Sequence, residues 1–184
     1  MTHIDVAIAG GGIVGSSTAY YLRKNGFTGS IAILEQDTSF KHACTSLSWG
    51  GIRQQFSTPE NIRLSQFGLR LIRNLKQEFG AEADIGFKEQ GYLVLATEKG
   101  VDGLEENQRL QVSMGADTVI VAGDELARRF PWMNFDGIAA GSFGPRNEVF
   151  LESVANAQPV VQWIMDQCRR DMLTPGGFGA QVFE

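Results

Sequence analysis

Apolar positions along this chain follow two rhythms, and the change falls near residue 82. Ile4 to Ala9 is a short, β-branched, mostly apolar run, which predicts a strand buried on both faces. Gly10, Gly11 and Gly12 break it. Ile13 to Lys24 then has helical spacing, with Val14, Thr18, Tyr21 and Leu22 near one stripe and Gly26 as the stop. Ser30 to Glu35 predicts a second strand. Strand, glycine turn, helix and strand make a βαβ unit, hence a parallel sheet with a right-handed crossover.

A long loop rich in Ser, Thr and Gly follows from Gln36 to Ser57. Pro59 to Phe79 predicts a helix. Ser57 or Thr58 is its expected cap, Pro59 suits the first turn, and Glu60 complements the dipole. Its apolar stripe, Leu64, Phe67, Leu71, Leu75 and Phe79, is expected to be core. After Gly80 the period becomes two. Strands are expected over Gly91–Ala96 and Ile138–Phe143, with an extended segment over Thr118–Val121. Helices are expected over Leu104–Met114 and from a capping Asp124 to Phe130. The class is α/β, with a second, mixed part that begins near residue 83.

Composition narrows the partners. Of 184 residues, 43% are hydrophobic and 20% charged, which is ordinary for a globular chain. The net charge of -5 argues against nucleic acid as the main partner. There is no continuous apolar run of about 18 residues, so no membrane span is expected. Only Met1, Thr2 and His3 precede the first strand, so no targeting segment is expected and the chain reads as cytoplasmic. Cys44 and Cys168 make no disulfide framework and suit a reducing compartment. With His3 and His42 they give no metal-ligand spacing, so no metal is expected.

The chemistry concentrates at Gly10-x-Gly12-x-x-Gly15, which joins a strand to a helix in a Rossmann-like unit. Gly10 permits the tight turn, Gly12 lets backbone approach a pyrophosphate, and Gly15 lets helix pack on strand. Free N–H groups at the helix start face the anion. Glu35 lies 20 residues past Gly15, where a carboxylate accepts hydrogen bonds from ribose hydroxyls and repels a 2′-phosphate. The motif alone leaves FAD and NAD open, since both present an ADP half. The long loop leans toward FAD, because a flavin must be covered beyond the pyrophosphate.

The run Ala9 to Gly15 resembles the opening of FAD-dependent amine oxidoreductases of the D-amino-acid oxidase superfamily, which includes glycine oxidase, sarcosine oxidase and dimethylglycine dehydrogenase. Ala19, Leu22, Gly26 and Glu35 fit the extended pattern. The likeness continues through Gly50–Ser57, Pro59–Ile62, Gly91–Leu93 and Phe130–Asn134, and covers about residues 4–148. It looks strongest to the branch that holds the mitochondrial FAD-dependent oxidoreductase assisting complex I assembly.

The resemblance implies an FAD-binding part over residues 1–82, a partial substrate domain over 83–148 and an unrecognised tail over 149–184. It implies FAD held without a covalent bond, since Ser48 stands where some relatives carry a tethering histidine. Gly10, Gly12, Ile13, Val14 and Gly15 would hold the pyrophosphate. Glu35 and Gln36 would meet the adenosine end. Thr45, Ser46, Gly50 and Gly51 would line the ribityl chain and flavin ring. Arg53 would border the substrate cavity, and either pairs with a substrate carboxylate or makes a salt bridge that fixes the loop.

The implied activity is oxidation of the C–N bond of a small amine or amino acid, by hydride transfer to flavin. No catalytic residue is assigned. The alternatives are a flavin-binding assembly protein without turnover and an inactive fragment. In the family an aromatic-Asp-Pro segment follows the acidic position near Glu148. Val149 to Val154 does not match it, so an incomplete catalytic unit is expected. An amphipathic helix is expected over residues 160–173.

Overall fold

The computed structural model describes residues 3–48, 50–146, 149–151 and 180–183. In chain order the elements are β1 (Val6–Ala9), α1 (Ile13–Lys24), β2 (Ile31–Leu34), β3 (Gly51–Ile52), α2 (Pro59–Arg73), α3 (Leu75–Phe79), β4 (Phe87–Glu89) and β5 (Tyr92–Ala96). They continue with α4 (Val101–Ser113), β6 (Val119–Ala122), α5 (Gly123–Arg129), β7 (Ala140–Gly144), β8 (Val149–Leu151) and β9 (Ala180–Phe183). The helix expected over 160–173 lies outside the described residues. Among the described residues no helix is long and apolar enough to cross a membrane. The chain divides into two compact units. One holds Met1–Gly50, Ala83–Gly86 and Leu151–Glu184, the other Gly51–Glu82 and Phe87–Phe150.

In the first unit β1, β2 and β9 form a parallel sheet with β2 in the middle. Ile31, Ala32 and Ile33 are buried, as a central strand requires. β1 departs from the expectation of burial on both faces. Val6 and Ile8 are half-buried, whereas Ala7 and Ala9 are exposed. α1 meets the strand at Ile8, whose Cγ2 would lie 3.1 Å from a Cβ on Gly15. α1 itself buries Gly15, Ser16 and Ala19, while Val14 is 77% exposed. The helix turns its small residues to the sheet, so backbone approaches backbone. A reciprocal clip closes the strand starts. Ser30 donates N–H and Oγ–H to Asp5 Oδ2 at 2.7 and 2.8 Å. Both bonds hold the exposed Asp5 carboxyl below its ordinary range.

In the second unit β7 is the centre of an antiparallel sheet, between β5 and β6. A smaller sheet has the order β3, β8, β4. The single helix expected over 59–79 is two. Asn74 Nδ2 donates to the Arg70 carbonyl at 2.8 Å, beside its own backbone N–H, and the chain turns there. The buried face also differs from the expected stripe. Ile62, Leu69, Leu75 and Phe79 are buried, while Leu64 and Phe67 are exposed. Thr58 occupies the N-cap without a side-chain bond, so Pro59 and Glu60 alone favour that end. Asp124 sits inside the first turn of α5 rather than at its cap, which is Ala122.

Candidate functional site

The glycine turn is built by three different constraints. Gly10 has φ +91°, a left-handed conformation that favours glycine, and its N–H donates to the Leu34 carbonyl at 2.8 Å. A Cβ on Gly15 would lie 1.9 Å from the Gly10 carbonyl oxygen and 3.1 Å from Ile8 Cγ2, so the helix rests on the turn and the strand. Gly12 is different. A Cβ there would meet only Thr45 Oγ1, at 3.6 Å, so nothing among the described residues demands glycine. The room in front of Gly12 is what an approaching ligand would use.

The start of α1 is rich in unanswered donors. Ile13 N–H donates to Thr45 Oγ1 at 3.2 Å, which brings the loop hydroxyl onto the helix end. Among the described residues the N–H groups of Gly12, Val14 and Gly15 meet no acceptor. α1 has no acid in its first turn and no cap from its own N-cap side chain. The positive end of the helix dipole is therefore open to an anion. Ser16, buried, donates Oγ–H to the Gly11 carbonyl at 2.6 Å and fixes the turn from beneath.

Glu35 ends the second strand, and both its oxygens accept backbone hydrogens. Gly11 N–H donates to Oε2 at 2.6 Å and Asp37 N–H to Oε1 at 3.0 Å. Each carboxylate oxygen keeps a second lone pair for a further donor such as a hydroxyl. Gln36 follows, exposed. The Gly11–Glu35 bond has no sequence signature, because it joins the middle glycine of the triplet to a residue 24 positions on.

The loop after β2 is pinned at Phe40, which is buried with φ +54° and donates its N–H to Asp37. Turn bonds carry the chain from Phe40 past Thr45 to Ser48. Ser46 is half-buried there, and Gly50 (φ +64°) ends the first segment of the unit. Gly10, Gly12, Ile13, Val14, Gly15, Glu35, Gln36, Thr45, Ser46 and Gly50 all belong to the first unit, whereas Gly51 and Arg53 belong to the second.

Gly51 opens β3. Arg53 is exposed, and its guanidinium carbon lies over the rings of Phe56 at 4.9 Å and Tyr92 at 5.6 Å. Among the described residues no carboxylate pairs with it, so the loop-fixing salt bridge is replaced by two aromatic faces. Its carbonyl accepts a hydrogen bond from Ser65 Oγ.

The donors at the α1 terminus, the space at Gly12 and the carboxylate of Glu35 suit the pyrophosphate and ribose of a dinucleotide. Residues 5–171 match the model of the FAD dependent oxidoreductase family. The FAD-dependent oxidoreductase domain-containing protein 1 of Xenopus laevis is 42% identical in an alignment of 155 residues that covers 80% of this chain and 31% of that protein. The mitochondrial dimethylglycine dehydrogenase of Rattus norvegicus is 28% identical over 143 residues, 77% of this chain and 16% of the relative. The crystal structure of glycine oxidase from Geobacillus kaustophilus shares the fold with TM-score 0.72 at 23% identity, over 100% of this chain and 47% of that one. The chain spans about a third of the length of the domain-containing relatives it matches. With the family model covering nearly all of it, the chain belongs to the FAD dependent oxidoreductase family, whose cofactor is FAD.

Proposed function

We propose that this chain carries the nucleotide cradle of an FAD-dependent enzyme that oxidises the C–N bond of a small amine or amino acid. The observation that carries the reading is the start of α1. Three backbone N–H groups without a described acceptor stand there, in front of a glycine whose Cβ space is empty. In this reading Gly12, Ile13, Val14 and Gly15 hold the pyrophosphate with backbone dipoles, and Gly10 shapes the turn. Glu35, already oriented by Gly11 and Asp37, accepts from the ribose, and Gln36 lies beside it. Thr45, Ser46, Gly50 and Gly51 line the remainder of the cofactor. FAD, when bound, supplies the chemistry by accepting a hydride from the carbon next to nitrogen. Arg53 offers an open guanidinium fork to a substrate carboxylate.

The names of two relatives support the substrate class, since one is a dimethylglycine dehydrogenase and another a glycine oxidase. No feature described above favours an assembly protein without turnover. The test is titration of the protein with FAD, followed by anaerobic addition of glycine, sarcosine, dimethylglycine and D- and L-amino acids. Saturable bleaching of the flavin band by one of them is the expected result for a chain with a whole active site. FAD binding without bleaching keeps the cradle and refutes turnover by these residues alone. Absence of FAD binding refutes the cradle.

A further inference from the structure

The second unit holds Arg53 in a way that the family match does not explain. Hydrogen bonds of Gln55, Gln66 and Gln111 surround the segment Arg53–Phe56. Gln55, buried, donates Nε2–H to the Tyr92 carbonyl at 2.9 Å. Gln111 of α4, also buried, donates Nε2–H to the Phe56 carbonyl at 3.2 Å. Gln66 of α2 donates to Gln54 Oε1 at 3.4 Å and to the Met114 carbonyl at 2.9 Å. Phe56 N–H turns back to the Gln54 carbonyl at 2.8 Å. Gln55 and Gln111 each spend an N–H on a backbone carbonyl, since an unanswered donor is expensive in a core, while Gln111 Oε1 is buried with no partner among the described residues. The outcome is that two side-chain amides fix the backbone of the two residues whose rings lie under the Arg53 guanidinium.

We propose that Phe56 and Tyr92 are positioning residues for an anion contact at Arg53, and that Gln55 and Gln111 hold those rings in register. This rests on the reading of Arg53 as the anchor of a substrate carboxylate. A free arginine loses much rotamer freedom when it grips an anion, whereas one already stacked on rings loses less. The rings lie 4.9 and 5.6 Å from the guanidinium carbon, and no described carboxylate occupies its N–H groups, which suit a planar, two-oxygen partner. The site is therefore selective for a carboxylate met edge-on.

The test uses the whole 184-residue chain with ¹⁵N-labelled arginine, and sodium acetate as the probe against sodium chloride at equal ionic strength. The Arg53 Nε–Hε signal is assigned by its absence in Arg53→Lys. In the wild type it is expected upfield of the other arginines, from the ring currents, and it titrates saturably with acetate. Phe56→Leu and Tyr92→Leu each weaken acetate binding roughly two- to five-fold, the range for one exposed cation–π contact, and move the signal downfield. Tyr92→Phe, which keeps the ring, retains both the shift and the affinity. Gln111→Leu moves the signal as the ring variants do. Far-UV circular dichroism confirms that each variant is folded, and the ring-current shift of the wild-type signal carries the test if a leucine variant is not. Acetate binding that is equal in wild type and folded ring variants overturns the clamp and leaves the carboxylate anchor standing. Failure of acetate to move the wild-type signal refutes the anchor, and the positioning role with it. An unshifted wild-type signal that titrates with acetate refutes the stacking alone.

Discussion

Gly12 and Gly15 lie three residues apart in one motif, and the structure predicts opposite consequences for replacing them. In Gly15→Ala the new Cβ would stand 1.9 Å from the Gly10 carbonyl oxygen, short by about 1 Å of the 3.0 Å that Cβ atoms tolerate. Neither partner yields easily. The Gly10 N–H is bonded to Leu34, and on the other side Ile8 Cγ2 would lie 3.1 Å away. The helix must lift from the sheet, and overpacking of this kind costs about 1–3 kcal/mol. We expect the upper end, about 3 kcal/mol, because the obstacle is backbone rather than a flexible side chain. That is a large part of the roughly 5–15 kcal/mol by which domains are stable. With a urea slope of about 1–3 kcal/mol/M, the midpoint falls by about 1–3 M. In Gly12→Ala the Cβ meets only Thr45 Oγ1 at 3.6 Å, so urea stability changes by no more than about 1 kcal/mol, the penalty of alanine at an N-cap. ADP affinity, read by calorimetric titration, instead falls about tenfold or more, which is about 1.4 kcal/mol. A Gly15→Ala protein as stable as the wild type would refute the helix–turn contact. A Gly12→Ala protein that binds ADP equally well would refute the cradle.

Glu35→Gln is expected to weaken ADP binding by about 1–3 kcal/mol, the scale of charge-assisted bonds; unchanged calorimetric affinity shows that the carboxylate serves the turn alone. Thr45→Val removes the acceptor for Ile13 N–H and is expected to destabilise the first unit by about 0.5–2 kcal/mol in urea, and no loss would show that another group caps α1. Asp5 is held below its usual value of 3.8 chiefly by the Ser30 hydroxyl and N–H. Its contribution to stability is thus full above that value and is lost as pH falls through the lower folded value. Asp5→Asn flattens this acid limb of a pH-dependent urea series, and an unaltered limb would place the effect elsewhere.

The local part of the fold is written in the chain. α1 begins at Ile13 and ends at Lys24 as the spacing and Gly26 require, and β1 and β2 pair in parallel around it. What periodicity missed has two physical causes. One is competition by polar side chains: Asn74 turns its amide onto the Arg70 carbonyl and divides a helix whose apolar spacing continues unbroken. The other is distance along the chain. β9 meets β2 from nearly 150 residues away, and β3 finds β8 across most of the second unit, through short strands with no pattern of their own. The exposed Leu64 and Phe67 show that equal spacing fits two adjoining faces of one helix, and only packing decides between them. At the site, Gly10, Gly15 and Glu35 stand where the spacing placed them in the turn. The second bonds of Glu35, the Thr45 hydroxyl on α1 and the rings beneath Arg53 are contacts across loops, which composition does not encode.

The bond from Gly11 to Glu35 has a consequence for redesign. In dinucleotide-binding folds an acidic position at the end of the second strand bonds the ribose 2′-hydroxyl, and an arginine nearby accommodates a 2′-phosphate instead. Here the carboxylate proposed to meet the ribose also braces the glycine turn, accepting from Gly11 N–H at 2.6 Å. On the proposed reading, exchange at position 35 would disturb the turn as well as the ribose contact. A variant selected for a different adenosine half would first have to rebuild the support under its phosphate turn, with a compensating acceptor for the Gly11 N–H.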